Sequence, residues 1–239
     1  MSNHGLQYDI VVVGGGGSGL AAAIEAARAG ARVVVLEKGE ILRGSTGMSV
    51  GSVTSSRTEL QARKGVVDSP DEHYADMEVL SRMRGAPDNR ELRRILIDEV
   101  PETVRWLTSL GVVFFGPMPE PPHKKPRMHN ILPNSRAYIY FLSRECRRLG
   151  VHFVLNARVG SLLKEGDRIT GVKVKVKGVE ESFTASLGVI LASGDYNGGG
   201  ELRAKLAKVN SDIEGVNTNT GDGQHIGVEA GSEILNGNV

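Results

Sequence analysis

Cysteine is almost absent from this chain: Cys146 is the only one in 239 residues, which excludes a disulfide framework and a cysteine metal cluster. Neither sign of charge is in excess. The formal net charge is +1, so nothing points to nucleic acid or an anionic membrane as partner. Long apolar runs are missing, and no segment approaches membrane-spanning length. The opening residues, MSNHGLQYD, carry neither the basic stretch nor the apolar core of a secretory signal. The histidines (His4, His73, His123, His129, His152 and His225) show no ligand spacing such as i,i+4 on one helix, so no metal is expected. No G-x-S-x-G elbow follows a strand except Gly17-Ser18-Gly19, which belongs to another kind of turn, and a Ser-His-Asp hydrolase is not supported. These absences describe a soluble chain of a reducing, cytoplasmic compartment, long enough for one large or two small domains.

Glycine is what the chain has in quantity, 31 residues concentrated in three loops. The first lies within YDIVVVGGGGSGLAAAIEAARAGARVVVLEK, Tyr8 to Lys38. An apolar run from Ile10 to Val13 breaks at Gly14, Gly16 and Gly19. A small-residue helix pattern follows, then a second apolar run from Val33 to Leu36, closed by Glu37. This strand–turn–helix–strand context turns a G-x-G-x-x-G match into a strong dinucleotide signal. Gly14 permits the tight turn, Gly16 lets the backbone approach a pyrophosphate, and Gly19 lets the helix pack close to the strand. The helix N-terminus offers unpaired N–H groups and its positive dipole end to phosphates. A carboxylate at Glu37 accepts hydrogen bonds from ribose hydroxyls and repels a 2′-phosphate, which disfavours NADP.

Farther on, Gly39 to Ser56 is rich in Gly, Ser and Thr and reads as a loop over a ligand. Ser69-Pro70-Asp71-Glu72 has capping-box spacing and predicts a helix to about Arg84. Asp88 to Gly111 is helical, with Leu92, Ile95, Leu96, Val104, Leu107 and Leu110 as its apolar stripe; Pro101 is expected to split it. Val112 to Phe115 is a short strand. Gly116 to Asn134 holds six of the nine prolines and reads as a long loop without regular structure. A helix from Ser135 to Leu149 leads to a strand, Val151 to Leu155. Arg158 to Ser186 is a β-meander, in which Lys173, Lys175 and Lys177 alternate with valines as a solvated face and edge protection. Gly188 to Ala192 is another apolar strand, Glu201 to Val209 a helix, and Asn217 to Gly231 a polar turn opening a short helix with Asp222 at its N-cap.

Some side chains invite a chemical reading. His123, Arg127 and His129, in the proline-rich stretch, are candidates to meet a substrate carboxylate; a solvated basic loop is the favoured alternative. Tyr138 and Tyr140 are read as helix packing and Cys146 as a buried small hydrophobe.

Four motifs in this order resemble the flavoprotein family of fumarate reductase, succinate dehydrogenase and 3-ketosteroid Δ1-dehydrogenase. They are VVVGGGGSGLAAAIEAARAGARVVVLEK, RGSTGMSVGS, GVILASGDYN with GGEL, and NTGDGQHIGVEAG. NARVGSLL is also similar to the family's entry into its meander. The resemblance implies an α/β, Rossmann-like FAD-binding domain of the glutathione-reductase type over residues 1–239, with an antiparallel meander. It implies that Ser18 meets the pyrophosphate through its N–H and that Glu37, with Lys38 beside it, serves the adenosine ribose. Ser45 and Thr46 would bond phosphate and ribityl oxygens, and Ser49 and Gly51 would lie beside the isoalloxazine. Val159 would meet the adenine edge through its main chain. Ala192, Ser193 and Gly194 would line the cofactor groove, and Asp222 would touch the flavin half, a role compatible with capping a helix. No histidine occupies Gly44 to Ser52, where the respiratory members carry their flavin-linked one, so the FAD is expected to be non-covalent.

The sequence departs from the family at Arg43, Val50 and Asp195, each standing where the pattern has glycine. Family members are also roughly twice as long, as expected of an FAD domain plus a cap. The cap and the segment that closes the flavin site, with the usual catalytic acid, are not in this sequence, and no proton-transfer residue is assigned. The resemblance therefore implies an FAD-dependent oxidoreductase subunit moving hydride between flavin N5 and a CH–CH or C=C substrate (an enoate, an enone or its saturated counterpart). A second polypeptide would carry the cap. The alternative is a non-catalytic FAD-binding subunit or fragment that needs a complementing chain.

Overall fold

A computed structural model describes residues 6–84, 88–207, 219–235 and 237. The chain forms two compact units, one from residues 1–48 and 142–239, the other from residues 49–141.

The first unit is built on a six-stranded sheet. Its strands are β1 (Leu6–Val13), β2 (Val33–Leu36), β6 (His152–Val154), β7 (Ala157–Glu165), β8 (Arg168–Val176) and β9 (Val179–Leu191), in the order β6-β2-β1-β9-β8-β7. The β6, β2, β1 and β9 strands run parallel, while β7, β8 and β9 pair antiparallel. The parallel strands are short valine-rich runs because they are covered on both faces: Val11, Val12, Val34 and Val35 are fully buried. Helix α1 (Gly17–Arg28) covers one face through Gly19, Leu20, Ala23 and Ile24. A side chain at Gly19 would overlap the Gly14 carbonyl, so its glycine is a packing requirement. Val159, Val172, Val174, Phe183 and Ile226 join Val11 and Val34 in one core cluster. Helix α5 (Arg136–Arg148) adds Cys146, whose buried thiol donates to the Leu20 carbonyl at 3.5 Å and is pushed up to about 12 by burial. That matches the packing role read from sequence.

Two expectations change here. The meander's last strand and the apolar strand Gly188 to Ala192 are one strand, β9. Ala185 pairs with Tyr8 and Gly188 with Ile10, so Ser186 and Leu187 together oppose Asp9 as a bulge. The bulge turns Leu187 to solvent and lets the Ser186 hydroxyl donate to Asp9 at 2.9 Å. The lysine row is indeed exposed at Lys173, Lys175 and Lys177, but β8 lies between β7 and β9 and guards no edge.

In the second unit, β3 (Val53–Thr54), β5 (Met128–Leu132) and β4 (Val113–Met118) form a three-stranded antiparallel sheet in that order, with α2 (Glu59–Arg63), α3 (Pro70–Arg84) and α4 (Arg90–Ser109). The proline-rich stretch is thus partly regular. Pro117 sits on the edge strand β4, where a missing N–H is tolerated; Pro133 follows the end of β5, and the others occupy the connection. Pro101 does not split α4 either: the helix runs unbroken through it. An interior proline costs a helix about 3 kcal/mol, and here Pro101 is buried beside Ile97, Val100 and Val104. The expected apolar stripe holds at Val104, Leu107 and Leu110, which are buried, and fails over the first turns. Leu92, Ile95 and Leu96 face solvent, while Arg93 is buried against Asp88 and the Tyr74 ring, 4.4 Å from its centroid.

Arg127 and His129 belong to neither a solvated loop nor an open substrate site; both are fully buried. The Arg127 guanidinium clasps Asp68 with two bonds (2.7 and 2.8 Å), reaches Asp76 at 2.6 Å and donates to His123 Nδ1 at 3.2 Å. His129 Nε2 pairs with the Thr58 hydroxyl at 2.8 Å. Tyr138 is buried and donates to the Gly51 carbonyl at 2.8 Å, whereas Tyr140 is exposed and not a packing residue.

This cluster makes the second unit acid-sensitive. His73 is buried edge-on to His123, with ring centroids 5.5 Å apart and its Nδ1 without a partner. Burial first, then the charges of Arg127 and His123, push His73 down to about 4, against the opposing pull of Asp68 and Asp76. An unfolded histidine takes its proton near 6.5, so between about pH 6.5 and 4 the unfolded chain binds more protons and stability falls as pH falls. From pH 7 to 5 this loss is expected to be on the order of 2 kcal/mol. Urea melts of wild type and His73→Gln across that range check it, the variant giving the flatter profile.

Candidate functional site

The glycine turn between β1 and α1 opens one wall of a groove in the first unit, about 780 Å³ with its mouth included. Gly14 adopts φ +108°, and a side chain there would overlap the Ala192 carbonyl where β9 leaves the sheet. The N-cap of helix α1 is Gly16, which has no side chain to close the helix N-terminus toward the groove. Gly16 differs from its neighbours: its backbone is ordinary (φ −81°, ψ −175°), and the nearest atom to an added Cβ is the Gly44 Cα at 3.8 Å. Among the described residues no atom comes close enough to an added Cβ to require glycine at that point. Its missing side chain leaves open space that lines the groove.

The Glu37 carboxylate accepts from the Gly15 N–H at 2.8 Å and from the Gly39 N–H at 2.7 Å, which fixes it beside the turn. Each oxygen keeps a further lone pair for a hydroxyl donor. On the opposite side Thr46, in a 3₁₀ turn, accepts from the Gly17 N–H at 3.1 Å. Ser45 is held by the Asn219 amide at 3.0 Å. The short helix α7 (Asp222–Glu229) starts after its N-cap Gly221, which adopts φ +82°. Asp222 is therefore the first helical residue rather than the cap. Its carboxylate instead meets Lys38 at 2.9 Å and Arg158 at 3.0 Å. Burial works to raise its pKa, but the bonds from Lys38 and Arg158 outweigh it and hold the carboxyl below its usual range.

Gly14, Gly16, Ser18, Glu37, Lys38, Ser45 and Thr46 line this groove together with Val159, Ala192, Ser193, Gly194 and Asp222. Gly19 lies behind it, packed on the Gly14 carbonyl. Ser49 and Gly51 are not among the lining residues; both fall in the second unit, where Gly51 (φ +84°) packs on Ile131 and Ser135. Sequence reasoning passed over Asn219. It is buried, lines the groove, and occupies the space a side chain at Gly194 would need. The signal was its place in the NTNTGDG segment, two residues before Gly221. Asp195, one of the departures, also lines the groove, and its carboxylate caps the turn by accepting from the Asn197 N–H at 3.0 Å. Among the described residues no helix is long and apolar enough to cross a membrane, and no group of three or more His, Cys, Asp or Glu side chains is placed to hold a metal ion.

The family described as FAD binding domain matches residues 9–239. The chain belongs to that family. It is homologous to the fumarate reductase, succinate dehydrogenase and ketosteroid dehydrogenase flavoproteins and corresponds to their N-terminal FAD-binding portion. A vinyl phenol reductase of Lactiplantibacillus plantarum is 31% identical over 232 residues, covering 95% of this chain and 46% of that protein. The open form of a flavocytochrome c3 fumarate reductase superposes with a TM-score of 0.88 at 26% identity, over 95% of this chain and 41% of the other. A 3-ketosteroid-Δ4-(5α)-dehydrogenase from Rhodococcus jostii, in complex with 4-androstene-3,17-dione, gives 0.84 at 25% identity, over 95% and 55%. This FAD-binding chain spans less than half the length of the curated relatives it matches.

The groove fits the cofactor the family is named for. An α/β FAD-binding fold needs a phosphate approach without side-chain obstruction and a carboxylate at the end of its second strand; Gly16 and Glu37 meet those two requirements.

Proposed function

We propose that residues 1–239 form a Rossmann-like FAD-binding domain of the glutathione-reductase type within a cytoplasmic oxidoreductase acting on CH–CH and C=C bonds. The observation that carries this reading is the unobstructed groove at Gly16 beside the backbone-anchored Glu37. Glu37 receives the ribose hydroxyls, the α1 N-terminus with Ser18 faces the pyrophosphate, and Ser45 and Thr46 bond oxygens along the chain between the two rings. Val159 meets the adenine through its main chain. Bound in this way, FAD supplies hydride exchange at its N5 with an activated alkene or its saturated product. The FAD is held non-covalently, since Gly44 to Ser52 contains no histidine to link it.

The relatives quoted above are named for reduction of vinyl phenols and of fumarate and for dehydrogenation of a ketosteroid, all at adjacent carbon atoms. That shared chemistry favours an enoate, an enone or the corresponding saturated compound here. The proton donor and the substrate cap belong to the part of the relatives that this chain does not match.

Reconstitution tests the reading. The full chain is expected to take up one FAD, turn yellow, and release unmodified FAD on acid denaturation. Photoreduced protein, with the complementing polypeptide added, is expected to be reoxidised anaerobically by an enoate or enone. A chain that stays colourless in excess FAD sinks the proposal; reoxidation by imines alone moves the chemistry to another flavoenzyme class.

A further inference from the structure

The family resemblance sends Asp222 to the flavin half of the cofactor, but its partners lie elsewhere. Three donors converge on its carboxylate. Lys38 Nζ, just past the end of β2, donates to Oδ2 at 2.9 Å and to the Thr220 hydroxyl at 2.9 Å. Arg158, near the start of β7, reaches Oδ1 at 3.0 Å. Thr220, in the turn before α7, donates to the same oxygen at 3.2 Å. Both carboxylate oxygens are thus engaged by this chain's own donors. Each cation adjoins a residue of the groove's ribose and adenine end: Lys38 follows Glu37, and Arg158 precedes Val159. The Lys38 and Asp222 side chains are only 27% and 13% exposed, so solvent screens this pair less than a surface bridge. A carboxylate in a groove built for a diphosphate repels its ligand by charge alone. What it holds in place must therefore outweigh what it repels.

We propose, on the reading that the groove holds FAD, that Asp222 is a positioning residue of the adenosine end, acting through Lys38 and Arg158 rather than by touching the flavin. By holding α7 to the end of β2 and the start of β7, it keeps Lys38 on the groove wall and ties the exposed Arg158 side chain down beside Val159. Without it the two side chains are free to reorient, and the ordering they lose has to be supplied again by the ligand.

ADP carries the adenosine and diphosphate of FAD without the riboflavin, so it separates the two ends. Calorimetric titration of the full chain, stripped of flavin, with ADP and with FAD is the test. Asp222→Asn is expected to weaken both ligands by the same factor, about tenfold. Lys38→Met is expected to do likewise, and the double variant to bind no worse than either single one, because the two residues act as a unit. Lys38→Arg restores most of the ADP affinity. Weaker FAD with unchanged ADP assigns Asp222 to the flavin end and overturns the proposal. So does tighter ADP binding, which would reduce the carboxylate to a source of repulsion, and so does a double variant weakened about a hundredfold. Wild-type chain that binds neither ligand overturns the cofactor reading itself. If Asp222→Asn does not melt like wild type, the Lys38 pair decides: loss in Met with recovery in Arg supports the proposal, and wild-type affinity in both defeats it.

Discussion

Arg127→Met is expected to remove about 3–5 kcal/mol from the stability of the second unit, out of the 5–15 kcal/mol typical of a domain. The substitution roughly preserves the apolar stem and deletes the guanidinium, which is fully buried and bonded to Asp68 and Asp76. Those carboxylates, themselves 0% and 3% exposed in their side chains, would then be buried without a counter-charge. Lys124 and Ser69 still donate backbone N–H bonds to them and the Lys124 charge still acts on Asp76, but among the described residues no other side-chain cation is ion-paired with either. Both pKa values now lie below the usual carboxylate range: burial acts to raise them, and the Arg127 contacts together with the backbone and Gln61 bonds outweigh it. Losing the guanidinium reverses that balance, so in the variant both groups draw protons at higher pH. Trp106, the only tryptophan, lies on α4 in this unit and reports its urea unfolding. The triple variant Arg127→Met, Asp68→Asn, Asp76→Asn should recover most of the loss, because no charge is left stranded. A triple variant as unstable as the single one would refute the stranded-charge explanation.

The same cluster shows why part of the chain resisted reading. Arg127 finds its partners 59 and 51 positions away, and no local pattern announces such a pairing. Composition alone made the stretch around it a solvated loop. The first turns of α4 have a related origin: apolar periodicity favoured Leu92, Ile95 and Leu96, but Arg93 is drawn inward by Asp88, just before the helix, and by the Tyr74 ring on α3. Where the constraint is local, the sequence was legible. Gly14 and Gly19 are required by atoms within the turn or at the strand end it abuts, and the residues from Tyr8 to Lys38 fold as their spacing indicates. The groove was legible for the same reason, since most of its lining comes from motifs at strand ends. Asn219 was not, because its role is to fill the space above Gly194 and hold Ser45, contacts made across the groove.

Gly16→Val is expected to separate folding from ligand binding at one atom's distance. Gly14 and Gly16 look alike in the motif, yet they carry different demands. Gly14 holds φ +108°, and an added Cβ would strike the Ala192 carbonyl, so Gly14→Ala should lower the melting temperature whether or not ligand is present. Gly16 has a backbone any residue adopts, and a Cβ there makes only an ordinary contact, 3.8 Å from the Gly44 Cα. Valine at that position should cost the flavin-free chain about 1 kcal/mol or less, chiefly through a poorer helix N-cap. The same side chain would stand in the groove in front of the α1 N-terminus, where the cofactor reading puts the pyrophosphate. FAD affinity should then fall by a factor on the order of 100 or more, about 3 kcal/mol. Thermal melts of the flavin-free variants and FAD titrations of the same preparations check both halves. A Gly16→Val chain that binds FAD as wild type does would place the cofactor outside this groove, and the missing Cβ would lose its explanation. A chain that melts early without ligand would show instead that the turn needs glycine at 16 for its own packing, as it does at 14.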